Sequence, residues 1–298
     1  MKQENVMRSW IAWTQLQPGV VIALLTVYLV WGSTYLAIKV ALQSFPPFLM
    51  TGARFLLAGT VLFVWLRFRA MPLPTRVQWR NAALIGALLL AGGVGGTAFA
   101  EQWIHSGLAA VSVATIPLWT ALFTGLFGRW PTRFEWLGIG IGFLGVALLN
   151  LEGTVRAQPL GALALLLATL SWSFGSVISQ RLTLPRGSTG FAAEMLAGGV
   201  VLVVIGLLRG ERLVEPVVGA AVAAWLYLVF AGSLVAFSAY MYLLSRVRPT
   251  LATSYAYVNP LIAVGLGVGL GGETITGIGI AAMVVIILGV GFMALGRE

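Results

Sequence analysis

The apolar residues of this chain fall into long runs, and short segments containing proline or arginine separate these runs. An α-helix crosses the roughly 30 Å hydrocarbon core of a bilayer in about 20 residues. The pattern therefore predicts an all-α membrane protein with ten transmembrane helices, which we number 1 to 10. The predicted spans are 20–41, 47–66, 82–102, 107–127, 135–151, 159–180, 190–208, 219–244, 250–270 and 276–295.

Predicted helix 9 carries an unusual number of polar side chains. The stretch 250–260, TLATSYAYVNP, contains hydroxyls, two tyrosines, a carboxamide and a proline. A weaker copy, GLAAVSVATIP at 107–117, lies in predicted helix 4, and it aligns Pro117 with Pro260 at an offset of 143 residues. The pair indicates one helix design used twice, and we interpret the two stretches as walls of a transport pathway.

Similar offsets recur in other predicted helices. WGSTY at 31–35 matches WSFGS at 172–176 at an offset of 141, and RFLLAG at 54–59 matches EMLAGG at 194–199 at an offset of 140. Each half contains five predicted helices, an odd number, so the second half enters the membrane in the opposite orientation. The sequence thus predicts an inverted repeat around a site near the bilayer midplane.

The repeat divides the chain into a cytoplasmic or interfacial segment 1–19, a first repeat 20–152 and a second repeat 157–298. Basic residues in the connecting segments predict the orientation, because they concentrate on the cytoplasmic side. Thirteen lie on one side: Lys2, Arg8, Arg67, Arg69, Arg76, Arg80, Arg129, Arg133, Arg181, Arg186, Arg246, Arg248 and Arg297. Three lie on the other side, Arg156, Arg209 and Arg212, so both termini are predicted to be cytoplasmic.

Composition agrees with a membrane protein and excludes several functions. Of 298 residues 59% are hydrophobic and only 9% are charged, far below the roughly 25% of soluble domains. The net charge of +9 is explained by topology, so no nucleic-acid partner is expected. With one histidine and no cysteine, no metal site, cofactor site or catalytic triad is indicated, and we do not expect an enzyme.

Polar residues near the predicted midplane are candidates for a substrate cavity. Pro117 and Pro260 interrupt the helical hydrogen bonds, either at a flexible bend that lines the cavity or at a static kink. Tyr255 and Asn259 are four residues apart and share one helix face. Because unsatisfied polar groups are costly in hydrocarbon, they face either the cavity or a hydrogen-bonding partner on another helix.

Two tryptophans also lie near the predicted bilayer centre. Trp31 and Trp172 occupy repeat-equivalent positions, whereas tryptophan usually concentrates at the membrane interfaces. Their indoles face either a hydrated cavity or small residues in the protein interior. Thr34 and Tyr35 follow on the same general face as Trp31, and Ser176 lies one turn beyond Trp172.

Predicted helices 3 and 8 add glycines and further candidates. Gly92 and Gly93 belong to a run that costs helix propensity, about 1 kcal/mol per glycine in water. Close helix packing is the default explanation, and close approach of a ligand is the alternative. Ser233 and Phe237 of predicted helix 8 are included in the candidate cavity.

Five ionisable residues lie in or near the predicted spans and are candidates for gating or coupling. Glu101 and His105 either pair, take up a proton or are hydrated at the outer surface, and hydration is favoured. Lys39 extends outward to water. Arg54 either pairs with Glu101 or attracts a substrate carboxylate, and Glu194 is a candidate near the cytoplasmic end of helix 7.

These residues resemble a known family. WGSTYLAIK, PPFLMTGARFLLAG, the proline of helix 4, ATSYAYVNP and the following GGE resemble the drug/metabolite transporter superfamily. Within it, they are similar to the ten-helix branch with two EamA-type domains and its YedA-like inner-membrane proteins. The resemblance implies export of amino acids or other metabolites through a central cavity between helices 1, 3, 4, 6, 8 and 9.

Together these observations predict a secondary transporter of the bacterial inner membrane that exports a small metabolite by alternating access. Its partners would be a small-molecule substrate and membrane lipid, and it would be a monomer or a homodimer. A multidrug or cation efflux antiporter is the alternative, although no acidic residue lies at the predicted midplane. A non-transporting scaffold is a more remote alternative, because it would not need a matched polar midplane.

Overall fold

The computed structural model describes residues 17–128, 130–149, 151, 158–247 and 255–295, and all regular structure in these ranges is helical. In chain order the helices are α1 Pro18–Ala41, α2 Pro47–Phe68, α3 Arg76–Ala100, α4 Ser106–Leu126, α5 Arg133–Leu149, α6 Pro159–Ser179, α7 Ser188–Leu208, α8 219–246, α9 Tyr255–Gly269 and α10 Gly277–Leu295. The segment 1–16, the start of the polar stretch at 250–254, and Lys2, Arg8, Arg129, Arg156, Arg248 and Arg297 lie outside the described residues.

Seven of these helices, α1 to α4 and α6 to α8, are long and apolar enough to cross a membrane. Helices α9 and α10 contain the shorter apolar stretches Val258–Gly269 and Gly277–Gly289, and α5 has 17 residues. The all-helical membrane fold is therefore confirmed, whereas ten spans and cytoplasmic termini stay predictions. Helix α3 begins at Arg76, earlier than the predicted span, because Thr75 and Gln78 form a reciprocal capping box at its start.

Helices α3 and α8 each contain a π-helical segment. In α3 it covers Ala87–Gly95, and in α8 it covers Leu228–Val235, which begins 141 residues later. This offset is the one that relates Trp31 to Trp172. Such segments are rare and often lie at functional sites. The glycine run pointed to a special backbone in helix 3, but the sequence did not predict its π form.

The two matched prolines differ in their local structure. Helix α4 is interrupted after Val113 and resumes at Ile116, so Pro117 lies in the first turn of its second part. A proline there breaks no helical hydrogen bond, since the first N–H groups of a helix have no partner within it. Pro260 instead lies inside the continuous helix α9. The predicted bend is thus a break in α4 and an internal proline in α9.

Glycines bring helices of the two halves into backbone contact. Helix α2 packs on α7, where a Cβ on Gly199 would lie 3.0 Å from the backbone nitrogen of Leu56. Helix α5 packs on α10, where a Cβ on Gly289 would lie 2.5 Å from the backbone nitrogen of Gly142. Small residues allow such approach in membrane bundles, where van der Waals contact drives association.

Gly289→Ala is expected to destabilise the protein by about 1–3 kcal/mol, because its methyl group would collide with the backbone of α5. Thermal unfolding in detergent measures the effect. Gly291→Ala on the same helix is the matched control, since nothing lies within 4 Å of its Cβ position. Equal melting temperatures for the two variants would contradict the close contact.

Candidate functional site

A cavity lies between helices of both halves. Its empty volume is about 1010 Å³, a figure that includes open solvent at its mouth. Its described lining comes from α1, α3, α4, α6, α8 and α9, the helices that the family resemblance implied, and also from α2. The additional helix contributes Arg54 and Phe55.

The structure brings most of the predicted cavity residues together. Nine of them line the cavity: Trp31, Thr34, Tyr35, Gly93, Trp172, Phe237, Tyr255, Asn259 and Pro260. The other four, Gly92, Pro117, Ser176 and Ser233, are not part of the described lining. Three of them, Gly92, Ser176 and Ser233, contact neighbouring helices or their own backbone.

The four exceptions have local explanations. A Cβ on Gly92 would meet the side chain of Ser171, so this glycine allows α3 and α6 to pack. Ser176 Oγ donates to the carbonyl of Trp172, 2.8 Å away. Ser233 is fully buried behind the cavity wall, and next to Pro117 in α4 it is Ile116 that belongs to the lining.

Trp31 is the centre of an aromatic cluster. Its ring centroid lies 4.8 Å from that of Tyr255, 5.1 Å from that of Phe237 and 5.2 Å from that of Tyr240. Its Nε1 donates to the carbonyl of Gly232 in the π segment, 3.2 Å away. The indole therefore packs against neighbours and also faces the cavity, so both alternatives for Trp31 hold.

Polar side chains in the lining are mostly satisfied by backbone carbonyls. With its amide oriented to satisfy both groups, Asn259 Nδ2 donates to the carbonyls of Tyr255 and Tyr28, at 3.2 and 3.3 Å, and so joins α9 to α1. The hydroxyls of Thr34, Thr97 and Thr169 donate to carbonyls three or four residues earlier in their own helices. Their oxygens keep lone pairs that can accept hydrogen bonds.

Arg54 is the charged residue of the described lining. Its side chain is only 4% exposed, and its Nε donates to Ser233 Oγ at 2.8 Å. The guanidinium lies 5.0 Å from the ring centroid of Phe55. Among the residues that the structure describes, no carboxylate pairs with Arg54, so the predicted alternative of an ion pair with Glu101 is wrong.

Two further expectations for the charged residues are wrong. Glu101 is fully buried, and neither carboxylate oxygen has a hydrogen-bond partner within the described ranges, so it is not hydrated at the surface. Lys39 does not extend outward, because its Nζ donates to the carbonyl of Glu101 at 2.6 Å and to that of Ile104 at 3.4 Å. The lysine thereby binds two carbonyl groups of the turn that follows α3, near the negative end of the helix dipole.

The remaining two candidates lie away from the cavity. His105 Nδ1 is 3.0 Å from the carbonyl of Thr274, so it contacts the turn after α9 and does not pair with Glu101. Glu194 is 9% exposed in α7, where Gly86 of α3 approaches its backbone. Within the described part of the chain, its carboxylate makes no hydrogen bond. A coupling role for these residues stays a prediction.

Sequence reasoning missed two glutamates that join the halves. Glu211, after α7, accepts hydrogen bonds from the backbone N–H groups of Phe48 and Leu49 at the start of α2. Glu273, after α9, accepts from Ser106 and Gly107 at the start of α4, at 2.7 and 3.1 Å. Carboxylates stabilise helix N-termini because these ends carry free N–H groups and partial positive charge.

A signal for these two glutamates is present in the sequence. Each directly follows a glycine with positive φ, Gly210 at 67° and Gly272 at 64°. This left-handed conformation strongly favours glycine after a helix, and it turns the chain sharply. A Gly-Glu pair after α7 and another after α9 therefore mark the turns that carry these carboxylates.

The geometry defines a class of protein. A cavity with aromatic and polar walls lies inside a bundle of helices that are long and apolar enough to span a membrane. These features are typical of a membrane transporter. The chain belongs to the EamA-like transporter family, whose sequence model matches residues 18–151 and 159–295.

Individual relatives support the same assignment. The chain is 48% identical over 276 residues to "Uncharacterized inner membrane transporter YedA" of Escherichia coli K12, covering 92% of this chain and 90% of that protein. It is 28% identical to "Protein PecM" of Dickeya dadantii, covering 84% and 85%. A solved crystal structure with 24% identity and a TM-score of 0.66 covers 94% of this chain and 99% of its own, which shows the fold. The protein is therefore a multi-pass transporter of the inner membrane.

Glu273→Ala is expected to lower the free energy of unfolding by about 1–3 kcal/mol, because it leaves two N–H groups of α4 without their acceptor. Glu273→Gln should cost less, since its amide oxygen still accepts one bond. Thermal unfolding of purified protein measures both. Glu215→Ala, at an exposed position, serves as the control, and a Glu273→Ala protein as stable as this control would refute the assignment.

Proposed function

We propose that the protein is a secondary transporter that exports amino acids or similar small metabolites by alternating access through this cavity. The observation that carries the proposal is the cavity itself, which both halves line with aromatic rings and hydroxyls. Rings offer contacts to an apolar body, and hydroxyls and amides offer hydrogen bonds to its polar groups. The substrate would be held near the middle of the membrane.

Several features support movement of one half against the other. The break in α4 after Val113, the π segments of α3 and α8 and the internal Pro260 of α9 all adjoin the cavity. At the predicted outer end, polar contacts join the halves. Besides the two glutamates, the carbonyl and hydroxyl oxygens of Ser44 accept from the backbone nitrogens of Val214 and Val218. Such reversible contacts suit a gate that opens and closes.

The competing functions receive less support. A cation antiporter needs an acidic group in the pathway, but Arg54 is the charged residue of the described lining. A scaffold needs no such cavity between its two halves. We propose that the transporter acts as a monomer or homodimer with lipid and substrate as its partners, in two repeats at 20–152 and 157–298.

Transport is tested by finding a ligand and then measuring its flux. A thermal-shift screen of purified protein against a metabolite library identifies binders, because ligand binding raises the stability of the folded state. Hits are then measured in proteoliposomes, where saturable flux is expected. The absence of saturable flux for every hit would refute the proposed function.

Trp172→Ala is expected to raise the half-saturation concentration for such a hit by about 2- to 10-fold, which corresponds to the loss of one aromatic contact. Trp172 lines the cavity, whereas Trp136 of α5 is 46% exposed on the bundle surface. Trp136→Ala is therefore the matched control and should leave the flux unchanged. An equal effect of both substitutions would argue against a substrate site in this cavity.

A further inference from the structure

Arg54 is buried inside a membrane protein without an opposite charge. A guanidinium has five N–H donors, and the one on Nε is used by Ser233. The four N–H groups on Nη1 and Nη2 form no hydrogen bond with any residue in the described ranges. An unpaired ionised group is expensive to keep in a low-dielectric interior and commonly marks a functional site.

Neighbouring residues fix the direction of this guanidinium. Ser233 Oγ donates to the carbonyl of Leu228, 3.1 Å away in the π segment, and this leaves its lone pairs for Arg54 Nε. Gly232 leaves space for the head group, because a Cβ there would lie 3.0 Å from Nη2. The guanidinium is therefore held by α8 through Nε, and Arg54 is part of the cavity wall.

Nothing in the described cavity lining neutralises this charge. The lining contains no aspartate or glutamate. Glu101 lies near Lys39 and Glu273 at the predicted outer end, and Glu194 lies on α7 outside the lining. The guanidinium of Arg54 is therefore available to a negatively charged ligand in the cavity.

We propose that Arg54 binds the carboxylate of the transported substrate, and that the substrate class is a small organic monocarboxylate with an aromatic or apolar body. This inference rests on the proposed function. A guanidinium binds a carboxylate through two parallel hydrogen bonds, which fits the free Nη1 and Nη2 groups. One arginine matches one negative charge.

The rest of the cavity is suited to the body of such an acid. Trp31, Trp172, Phe237 and Tyr255 provide ring faces and edges. An ammonium group finds only neutral acceptors in the described lining, such as the threonine oxygens. The cavity therefore favours anions over cations of the same shape.

A series of probes with one body and different head groups tests the charge preference. Purified protein at constant salt and pH 7 is titrated calorimetrically with 3-phenylpropionate, 3-phenylpropanol and 3-phenylpropylamine. The carboxylate is expected to bind about 10- to 100-fold more tightly than the alcohol, the difference in affinity that hydrogen bonds to a charged group typically provide. The amine is expected to bind most weakly of the three. Equal binding of the three probes, stronger binding of the amine or no binding of the carboxylate would overturn the inference.

Variants then assign the preference to Arg54. Arg54→Gln is expected to bind the carboxylate and the alcohol within about 3-fold of each other, since it keeps a polar group but loses the charge. Arg209→Gln is the matched control, because Arg209 is exposed at the end of α7 and should leave the preference unchanged. Retention of the full carboxylate preference by Arg54→Gln would overturn the inference.

Substitutions behind Arg54 provide a test if Arg54→Gln does not fold. Ser233→Ala removes the partner of Nε, and Gly232→Ala places a methyl group against Nη2. Each keeps the charge but displaces the guanidinium, so carboxylate affinity should fall several-fold while alcohol affinity is kept. Unchanged carboxylate affinity in both variants would overturn the inference.

Flux separates this inference from the proposed function. Saturable transport of a neutral or cationic hit that Arg54→Gln leaves intact would overturn the carboxylate assignment and leave transport standing. The absence of saturable flux for all hits would refute transport itself.

Discussion

The structure depends on one constraint, which is that polar groups inside the hydrocarbon region must find partners within the protein. Asn259 satisfies it by donating to carbonyls of α9 and α1, and Trp31 satisfies it through the carbonyl of Gly232. The bonds to the carbonyls of Tyr28 and Gly232 also join two helices each. Polar side chains that are unfavourable in hydrocarbon therefore help to position the cavity walls. Arg54 differs from them because only its Nε donates a hydrogen bond within the described residues.

Close backbone contact supplies the second part of the architecture. Gly289 meets the backbone of α5, and Gly199 meets that of α2, so helices of different halves touch where their side chains are smallest. The cavity is lined by the remaining helices and by Arg54 and Phe55 of α2. The bundle thus combines tightly packed helix pairs with a loosely filled centre, and this division suits a protein whose interior has to admit a molecule.

Much of this could be predicted from the sequence. Apolar runs and proline positions indicate the helices, and polar side chains at midplane depth, such as Trp31 and Tyr255, indicate the cavity. The position of a residue along a helix predicts its depth in the membrane but not the side of the helix on which it lies. Ser233 is therefore predicted to line the cavity, whereas the structure buries it behind the cavity wall. Glu101 is expected at the surface because it lies at the end of a predicted span, whereas the structure buries it fully. The π segments were missed because they depend on contacts between helices as well as on glycine content.

The break in α4 and the continuity of α9 have a consequence for the symmetry of motion. In an inverted repeat, the two end states are related by exchanging the conformations of the halves. Here one half contains a helix divided after Val113, and its counterpart runs unbroken through Pro260. Exchange would require α9 to break and α4 to become continuous, which are different structural changes. If the halves exchange conformations during transport, they would therefore contribute different rearrangements, a helix that closes its break and a helix that opens one.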